Sequence, residues 1–327
     1  MRAVQAPVPG GPEALQILEI ERPEPAAGEV LIRVAAAGLN RADILQAAGF
    51  YPPPPGESDT LGLEVSGHIE VVGDGVESWQ QGDRVMALLS GGGYADFVVV
   101  PAGQVMAVPE HLDLVLAAGV METFATVWSN VFMTAHLNAG QRLLVHGGSS
   151  GIGTTAIALA KQAGATVFVT VGSERKAQAC RDLGADVVIN YRDEDFSEVM
   201  KSHGGADVIL DIIGAKYLAQ NVAALATGGH MVVIGMQGGV KAELNLAALL
   251  AKRGSITATS LRARPHAEKA EIVAELVEHV LPRLANGELA PIIDSTFPLE
   301  DVAAAHEHLK ASAHIGKVIL FVDPGLR

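Results

Sequence analysis

The sequence predicts an α/β protein in which a doubly wound parallel sheet interrupts a mostly β domain. Three observations predict this arrangement. Short β-branched strands punctuated by glycine and proline fill roughly the first 120 residues, six short apolar strands then alternate with helices, and the tail returns to strand. A chain of 327 residues is long enough for two domains. We expect a β domain at 1–122, a sheet domain at 123–265 and a return to the β domain at 266–327.

Composition excludes several classes of protein. Lys and Arg total 23 against 37 Asp and Glu, so the net charge of −14 argues against a nucleic acid or an acidic membrane as partner. A hydrophobic share of 49% excludes general disorder. A single cysteine, Cys180, excludes an internal disulfide and a multi-cysteine zinc site. Without an apolar leader or an uninterrupted apolar run long enough to span a membrane, we expect a cytoplasmic protein.

The first part of the chain contains strand-like runs closed by turn residues. The clearest are at 30–34, 66–72, 82–87 and 96–100, with one helical turn at 43–46. We therefore expect an all-β barrel here.

The sequence pattern changes after residue 120, where short apolar strands alternate with helices. Apolar strands are predicted at 143–145, 167–169, 187–189, 208–210, 231–234 and 256–259. The intervening helices are predicted near 152–163, 174–183, 194–203, 217–225 and 246–252. Apolar runs without polar alternation indicate strands covered on both faces, as in a parallel doubly wound sheet.

The last 60 residues are predicted to hold one amphipathic helix and one strand. The helix is expected over 266–286, with Ile272, Leu276, Val280 and Leu284 at four-residue spacing and Gly287 at its end. The strand, at 315–322, is expected to rejoin the first domain.

A glycine-rich loop lies between the first strand and the first helix of the predicted sheet domain. Its spacing, Gly148-x-x-Gly151-x-Gly153, is a variant of the dinucleotide-binding fingerprint. Glycines allow backbone amides to approach a phosphate, and the helix N-terminus adds partial positive charge. The alternative is a tight turn that needs glycine only for packing. We expect the loop to bind a dinucleotide through Gly148, Ser149, Ser150, Gly151, Ile152 and Gly153.

The end of the second strand discriminates between NAD and NADP. An NAD site usually places an acid there to bind the ribose 2′-hydroxyl. Here Gly172 and Ser173 come first, and Lys176 supplies a cation suited to a 2′-phosphate. Tyr191, just after the third strand, adds a hydroxyl. These residues predict NADPH as cofactor, although Lys176 as an ordinary solvated lysine is the alternative.

Three residues end later strands of the same sheet. Asp211 ends the fourth strand, and Gly235 and Met236 follow the fifth. Carboxyl ends of parallel strands face the cofactor, so we expect these residues to line its ribose and nicotinamide. For Asp211, capping of the following helix is an equal alternative.

Neither a metal site nor an activated nucleophile is evident. His306 and His308 are two residues apart, which places them on different faces of a helix. No serine elbow or catalytic carboxylate pair is visible, so we expect the chemistry to be carried by the cofactor and no metal to be bound.

Further motifs make the chain resemble a known family over essentially its whole length. They are the segments at 36–43, 51–56, 61–67, 82–85 and 315–318, together with the glycine loop. The chain is similar to the medium-chain dehydrogenase/reductase superfamily. Within it, the sequence resembles the zinc-free, zeta-crystallin-like quinone oxidoreductases, and the tyrosine–proline run with Gly91-Gly92-Gly93 points to their p53-inducible branch.

The resemblance implies a Rossmann doubly wound sheet inserted into a GroES-like β-barrel domain. Zinc-dependent relatives carry a cysteine near Asn40 and a histidine at the position of Leu63, and this chain has neither. The resemblance places Asn40 and Thr126 at the nicotinamide and Tyr51 at the mouth of the substrate cleft. It also supports the 2′-phosphate residues named above. Segments expected to close over the cofactor contain Ser260, Leu261, Arg262 and Lys317. Gly148 and Ser150 depart from the residues found in many relatives.

The function implied by the resemblance is reduction of a quinone, or another planar carbonyl acceptor, by NADPH without zinc. Asn40 would hold the carboxamide or the acceptor oxygen, and Tyr51 would stack on the acceptor or hydrogen-bond to it. The alternatives are an asparagine bonded to its own backbone and a tyrosine that anchors the proline turn. Transfer of one electron or of a hydride is left open.

Two other functions are compatible with the same sequence features. Reduction of an enone or enoyl double bond uses the same hydride but needs a proton donor, for which Tyr51 is the candidate. An NADPH-binding protein with little turnover is the other. Relatives commonly form dimers, so we expect a homodimer, or a tetramer, joined through the uncharged edge strand at 256–259.

Overall fold

The computed structural model describes residues 1–326. It divides them into two compact units, each described here by itself. Unit 1 consists of residues 1–125 together with 261–326, and unit 2 consists of Thr126–Ser260. Unit 2 is therefore an insertion in the sequence of unit 1.

The secondary structure of the first 127 residues is mainly strand. The strands are β1 Arg2–Gln5, β2 Gln16–Glu19, β3 Glu29–Gly38, β4 Glu64–Val72, β5 Arg84–Leu88, β6 Phe97–Pro101 and β7 Val105–Ala107. The helices are α1 Arg41–Ala47, α2 Leu114–Ala117 and α3 Met121–Val127, with short 3₁₀ turns at Pro12–Ala14 and Ala102–Gln104.

Strands and helices alternate in unit 2. A π-helical segment, Trp128–Thr134, continues α3. Then follow β8 Arg142–His146, α4 Gly151–Gln162, β9 Thr166–Val171, α5 Glu174–Asp182, β10 Val187–Asn190 and α6 Phe196–Ser202. The unit ends with β11 Ala206–Asp211, the 3₁₀ turn Ala215–Tyr217, α7 Leu218–Ala224, β12 Leu225–Val233, α8 Leu246–Lys252 and β13 Ser255–Ala258.

The return segment completes unit 1. It contains α9 His266–His279, α10 Leu281–Ala285, β14 Ile293–Pro298, the 3₁₀ turn Leu299–Asp301, α11 Val302–Lys310 and β15 Lys317–Phe321.

The main sheet of unit 1 has seven strands drawn from both segments. Its order is β14-β15-β3-β4-β5-β7, and β6 also pairs with β3. All pairs are antiparallel except β14 with β15. A core of aliphatic side chains from β3, β4, β5, α11 and β15 packs on it. The return of the tail to the first domain is therefore confirmed, because β15 pairs directly with β3.

The sheet of unit 2 is parallel throughout and has the order β10-β9-β8-β11-β12-β13. This confirms the predicted doubly wound sheet with six strands. The order reverses between β8 and β11, and in such sheets ligands bind beyond the carboxyl ends of the strands at that reversal.

Two predicted helices differ from the observed ones. The helix predicted over 266–286 is two helices, because Pro282 has no amide hydrogen for the helical ladder and the chain bends at Val280. The helix predicted over 217–225 ends at Ala224, since Leu225 already pairs as a strand with Ala206. The strand predicted at 231–234 accordingly begins six residues earlier, at Leu225.

One segment is long and apolar enough to cross a membrane by length and composition alone. It is Leu114–Thr134, with a mean hydropathy of 1.3. Within the protein, however, 78% of its apolar window is buried. It therefore has the burial of a core helix rather than of a helix presented to lipid.

Cys180 lies on the buried side of α5. Burial raises the pKa of its thiol to about 11. The thiol is therefore protonated at neutral pH.

Candidate functional site

The glycine loop of unit 2 connects β8 to α4 at the reversal of the strand order. β8 ends at His146, and α4 begins at Gly151 with Ser150 as its N-cap. The Ser150 hydroxyl donates to the carbonyl oxygen of Gly147 at 2.8 Å and accepts from the amide of Gly153 at 3.0 Å. One side chain therefore both closes the loop and caps the helix.

Two positions of the loop have no room for a side chain, so only glycine fits there. A Cβ at Gly153 would lie 2.4 Å from the backbone of the loop, and a Cβ at Gly148 would lie 2.5 Å from the Cβ of Val169. Within residues 1–326, the amides of Gly151 and Ile152 donate to no protein acceptor. Free amides at a helix N-terminus bind phosphate, so the loop fits the diphosphate of a dinucleotide.

A buried chain of hydrogen bonds runs beneath this loop. The amide of Gly147 donates to Thr170 Oγ1 at 3.3 Å, and Thr170 Oγ1 lies 3.1 Å from His146 Nδ1. His146 Nε2 lies 2.7 Å from Asn221 Oδ1, and Asn221 Nδ2 donates to Asp211 Oδ2 at 3.1 Å. Burial lowers the pKa of His146 to about 4, so the imidazole is neutral and donates from Nε2. The loop after β8 and the turn after β11 are thus linked.

Asp211 is fully buried, and its carboxylate accepts hydrogen bonds from the turn that follows it. Its carboxylate accepts from the amides of Ile213 at 2.7 Å and Gly214 at 3.1 Å, in addition to Asn221. Burial raises the pKa of the carboxyl group. This geometry favours the capping interpretation of Asp211, because the turn takes up its oxygens.

The residues expected at a 2′-phosphate lie together at the ends of β9 and β10. The Tyr191 amide donates to the carbonyl of Val171 at 3.1 Å, and a Cβ at Gly172 would lie 2.3 Å from Tyr191 Oη. Ser173 is the exposed N-cap of α5, and its side chain makes no capping hydrogen bond. Lys176 is half-buried in the first turn of α5.

The other predicted cofactor residues of unit 2 lie beside the Asp211 turn or at the two ends of the unit. A Cβ at Gly235 would lie 2.9 Å from the carbonyl oxygen of Ile212, which sets Gly235 beside the Asp211 turn, and Met236 is exposed. Thr126 and Ser260 are the residues at which unit 2 begins and ends.

Asn40, in unit 1, is held by a buried ion pair. Lys317 Nζ lies 2.7 Å from Glu64 Oε1 and donates to Asn40 Oδ1 and to the carbonyl oxygen of Leu39, each at 2.7 Å. Asn40 Nδ2 in turn donates to Glu64 Oε1 at 3.0 Å and, at 3.4 Å, to the carbonyl oxygen of Gly38. All three ammonium protons are used within unit 1. Lys317 therefore orients the Asn40 amide, and its expected place in a segment that closes over the cofactor stays a prediction.

Tyr51 is held by Arg262, a side chain that is only 3% exposed. The guanidinium donates to the carbonyl oxygens of Tyr51 at 3.0 Å and Ser90 at 2.6 Å and to Gln46 Oε1 at 2.7 Å. It also lies 5.3 Å from the centre of the Tyr51 ring. Through these contacts Arg262 positions the Tyr51 loop, and its expected place in a segment that closes over the cofactor stays a prediction. Leu261, beside it, is buried in unit 1.

Three acids of this region were not predicted from the sequence: Glu64 and Asp43, which are buried, and Glu122, which is half-buried. Glu64 Oε2 accepts from the amide of Glu122 at 2.9 Å. Burial and the charge of Glu64 raise the pKa of Glu122 to about 8. Burial raises the pKa of Asp43 to about 6, although the Tyr94 hydroxyl donates to it at 2.8 Å. The signal was an acid within an otherwise apolar segment, such as Glu64 between Leu63 and Val65.

A metal site is not evident in the part of the chain that the structure describes. No group of three or more His, Cys, Asp or Glu side chains there could hold a metal ion. The His306 ring packs edge-on against Tyr94 in the core, and the His308 ring contacts Asp294 at 2.7 Å.

Comparisons with known proteins extend over the whole chain. The alcohol dehydrogenase GroES-like domain matches residues 26–110, and the zinc-binding dehydrogenase family matches residues 151–278. A quinone oxidoreductase of Rattus norvegicus is 33% identical over 98% of both chains.

Solved structures with similar folds include a quinone oxidoreductase and an enoyl reductase. The Escherichia coli quinone oxidoreductase complexed with NADPH has a TM-score of 0.87 at 29% identity, covering 98% of this chain and 100% of that one. The JamJ enoyl reductase in its apo form has a TM-score of 0.88 at 28% identity, covering 98% and 99%.

We expect Asn221→Leu to lower the free energy of unfolding by about 2–3 kcal/mol, because His146 and Asp211 would each lose a buried hydrogen-bond partner. Chemical denaturation measures the change. The control is Ala219→Leu at an exposed position of the same helix, which should change the free energy of unfolding by less than about 0.5 kcal/mol. Equal stability of the two variants would show that the hydrogen-bond chain contributes little.

We expect Glu122→Gln to raise the thermal unfolding midpoint at pH 8 and to leave it nearly unchanged at pH 4.5. Folding raises the pKa of Glu122 from 4.5 to about 8, so the folded protein binds an extra proton between these values. Its stability therefore falls as pH rises through this window, and glutamine, which mimics the protonated acid, removes that loss.

Differential scanning calorimetry at both pH values makes the comparison. Glu77→Gln, at an exposed position of unit 1, is the matched control and should shift neither midpoint. If the midpoint of Glu122→Gln at pH 8 does not exceed that of the wild type, Glu122 is not protonated there.

Proposed function

This chain belongs to the quinone oxidoreductase family of the medium-chain dehydrogenase/reductases, and we propose that it reduces quinones with NADPH. It is an oxidoreductase with a GroES-like domain and an inserted Rossmann domain. The observation that carries the proposal is the match to quinone oxidoreductases over 98% of the chain. We keep the domain bounds at 1–122, 123–265 and 266–327 as part of this proposal.

NADPH, when bound, supplies a hydride. The amides of Gly151 and Ile152 would bind its diphosphate, since they are free at the N-terminus of α4. Ser173 and Lys176 would bind the 2′-phosphate, with Tyr191 covering Gly172 beside them. The cation and the hydroxyl at the end of β9 favour NADPH over NADH, because the first acid, Glu174, lies one residue beyond Ser173, inside α5.

Asn40 and Tyr51 form the acceptor subsite of the proposal. The Asn40 amide is held by Glu64, by Lys317 and by the carbonyl oxygen of Gly38, so it is a fixed polar group against which an acceptor would be positioned. Tyr51, anchored by Arg262, offers a ring for stacking on a planar quinone. A quinone oxygen is reduced to a stabilised anion, so this chemistry does not need the zinc ion for which the ligands at Asn40 and Leu63 are missing.

A second activity, reduction of an activated C=C bond, is supported by the similarity to an enoyl reductase structure. Both activities use the same hydride, but the C=C reduction also requires a proton at carbon. A binding protein with little turnover is the remaining alternative, and a finding that NADPH is oxidised only when a quinone is added would exclude it.

We also propose a cytoplasmic homodimer or tetramer, with neither nucleic acid nor membrane as partner. β13 is an edge strand of the parallel sheet and carries no charged residue. Leu246 and Leu250 on the preceding helix are 70% and 77% exposed, which is consistent with coverage by a second copy.

We expect Lys176→Glu to lower kcat/KM for NADPH about 10- to 100-fold and to change kcat/KM for NADH much less, since a charge-assisted hydrogen bond to the 2′-phosphate is lost. Steady-state kinetics with both cofactors and a para-quinone measure the preference. Lys201→Glu, with the same charge change on exposed α6, is the control. An unchanged preference in Lys176→Glu would remove Lys176 from the 2′-phosphate site.

We expect Tyr51→Ala to lower kcat/KM for quinones about tenfold, because a stacking surface worth about 1.4 kcal/mol is lost, while the Kd of NADPH is retained. The acceptor panel contains an ortho-quinone, a para-quinone and an α,β-unsaturated ketone. Tyr51→Phe separates the two roles of the residue: wild-type rates in this variant indicate stacking, and reduced rates indicate the hydroxyl. Unchanged turnover in Tyr51→Ala would exclude Tyr51 from the site.

A further inference from the structure

Glu122 is an acid that the proposed mechanism leaves unused. It lies in the first turn of α3, in an apolar segment flanked by buried Met121 and Phe124. Its side chain is only half-buried, and within residues 1–326 its carboxyl group makes no hydrogen bond to the protein. The carboxyl proton is therefore not committed to another protein group.

A single carboxylate joins Glu122 to the acceptor subsite. Glu64 accepts from the amide of Glu122 with Oε2, at 2.9 Å, and from Asn40 Nδ2 with Oε1, at 3.0 Å. The main-chain amide of Glu122 and the side-chain amide of Asn40 are thus held by the two oxygens of one fully buried side chain. Because Lys317 also binds Oε1, the carboxylate cannot turn without breaking three contacts.

Charged groups on four other elements act on Glu122. Glu64 on β4 and Asp43 on α1 disfavour its ionisation, whereas Lys317 on β15 and Lys269 on α9 favour it. Arg262 interacts with both Glu122 and Tyr51. Desolvation and Glu64 dominate, and the pKa of Glu122 rises to about 8. The group is protonated at neutral pH and ionises as the pH rises through about 8.

We propose that Glu122 is the general acid of this site, donating its proton to the acceptor oxygen as the hydride adds. This inference rests on the proposed function. One quinone oxygen gains the hydride, with its two electrons, and the O–H bond of Glu122 breaks as its proton forms an O–H bond with the other quinone oxygen. The product is the hydroquinone, and the Glu122 carboxylate regains a proton from water through its exposed side. With an unsaturated ketone, the same acid protonates the enolate.

The test compares wild type with Glu122→Gln, Glu122→Asp and the control Glu77→Gln. We expect Glu122→Gln to lower kcat about 10²-fold or more at pH 7, with little change in the Kd of NADPH measured by fluorescence. Wild-type kcat should fall as the pH rises through about 8, and this limb should be absent in Glu122→Gln. Glu122→Asp, which retains an acid, should recover part of kcat.

A second measurement does not depend on turnover. Infrared difference spectra of the protein without cofactor, wild type minus Glu122→Gln, should show a protonated carboxyl signal that titrates near pH 8. A signal that titrates near 4.5, or kcat and a pH limb in Glu122→Gln that match wild type, would overturn the assignment.

The two proposals fail in different ways. If none of the quinones supports oxidation of NADPH by the wild type, the proposed quinone reduction is wrong. The Glu122 variants are then assayed with the unsaturated ketone. If wild type is active and Glu122→Gln retains its full kcat, only the assignment of Glu122 is wrong. If no acceptor supports turnover, both proposals are wrong.

Discussion

The buried ion pair between Glu64 and Lys317 is the interaction on which the acceptor subsite depends. Its partners come from the two segments of unit 1 that flank the inserted unit, so it forms only when β15 has paired with β3. Removing two charges from water is costly, and here the cost is offset because the ammonium protons and the carboxylate oxygens are all bound. The result is an asparagine amide with one fixed orientation.

The cofactor loop of unit 2 is supported in a different way. There the buried groups are neutral: an imidazole, a hydroxyl and an amide lead from the loop to the turn at Asp211. A neutral chain avoids the cost of burying an imidazolium, which is why the pKa of His146 is low. The one charge at its end, Asp211, is stabilised by the backbone amides of its own turn. Rigidity of the loop is thus achieved without a charge beside the phosphate site.

The sequence was sufficient to predict the features that depend on local patterns. Apolar runs between helices predicted the six parallel strands, and glycine spacing predicted the loop, because both follow from neighbouring residues. The boundaries near Pro282 and Leu225 were missed, since one depends on a single proline and the other on pairing with Ala206.

Side-chain contacts between residues far apart in the chain could not be predicted from the sequence. Lys317 and Asn40 are 277 residues apart, and Arg262 and Tyr51 are 211 apart. The family resemblance implied only that Lys317 and Arg262 lie in segments near the cofactor, and their hydrogen bonds within unit 1 became visible in the structure. Nothing in the local pattern reveals such contacts, because they exist only once the tail has folded back. Glu122 was missed for the same reason: its pKa is raised by desolvation in the folded protein and then by Glu64, which lies on another element.

The burial of Cys180 has a chemical consequence for a protein that handles quinones. Quinones are electrophiles, and they arylate thiolates irreversibly by conjugate addition. The chain has one cysteine, and with its sulfur enclosed under α5 and a pKa of about 11, almost none of it is thiolate at neutral pH. The protein thus offers its own acceptor no sulfur nucleophile, and repeated turnover need not inactivate it through this residue.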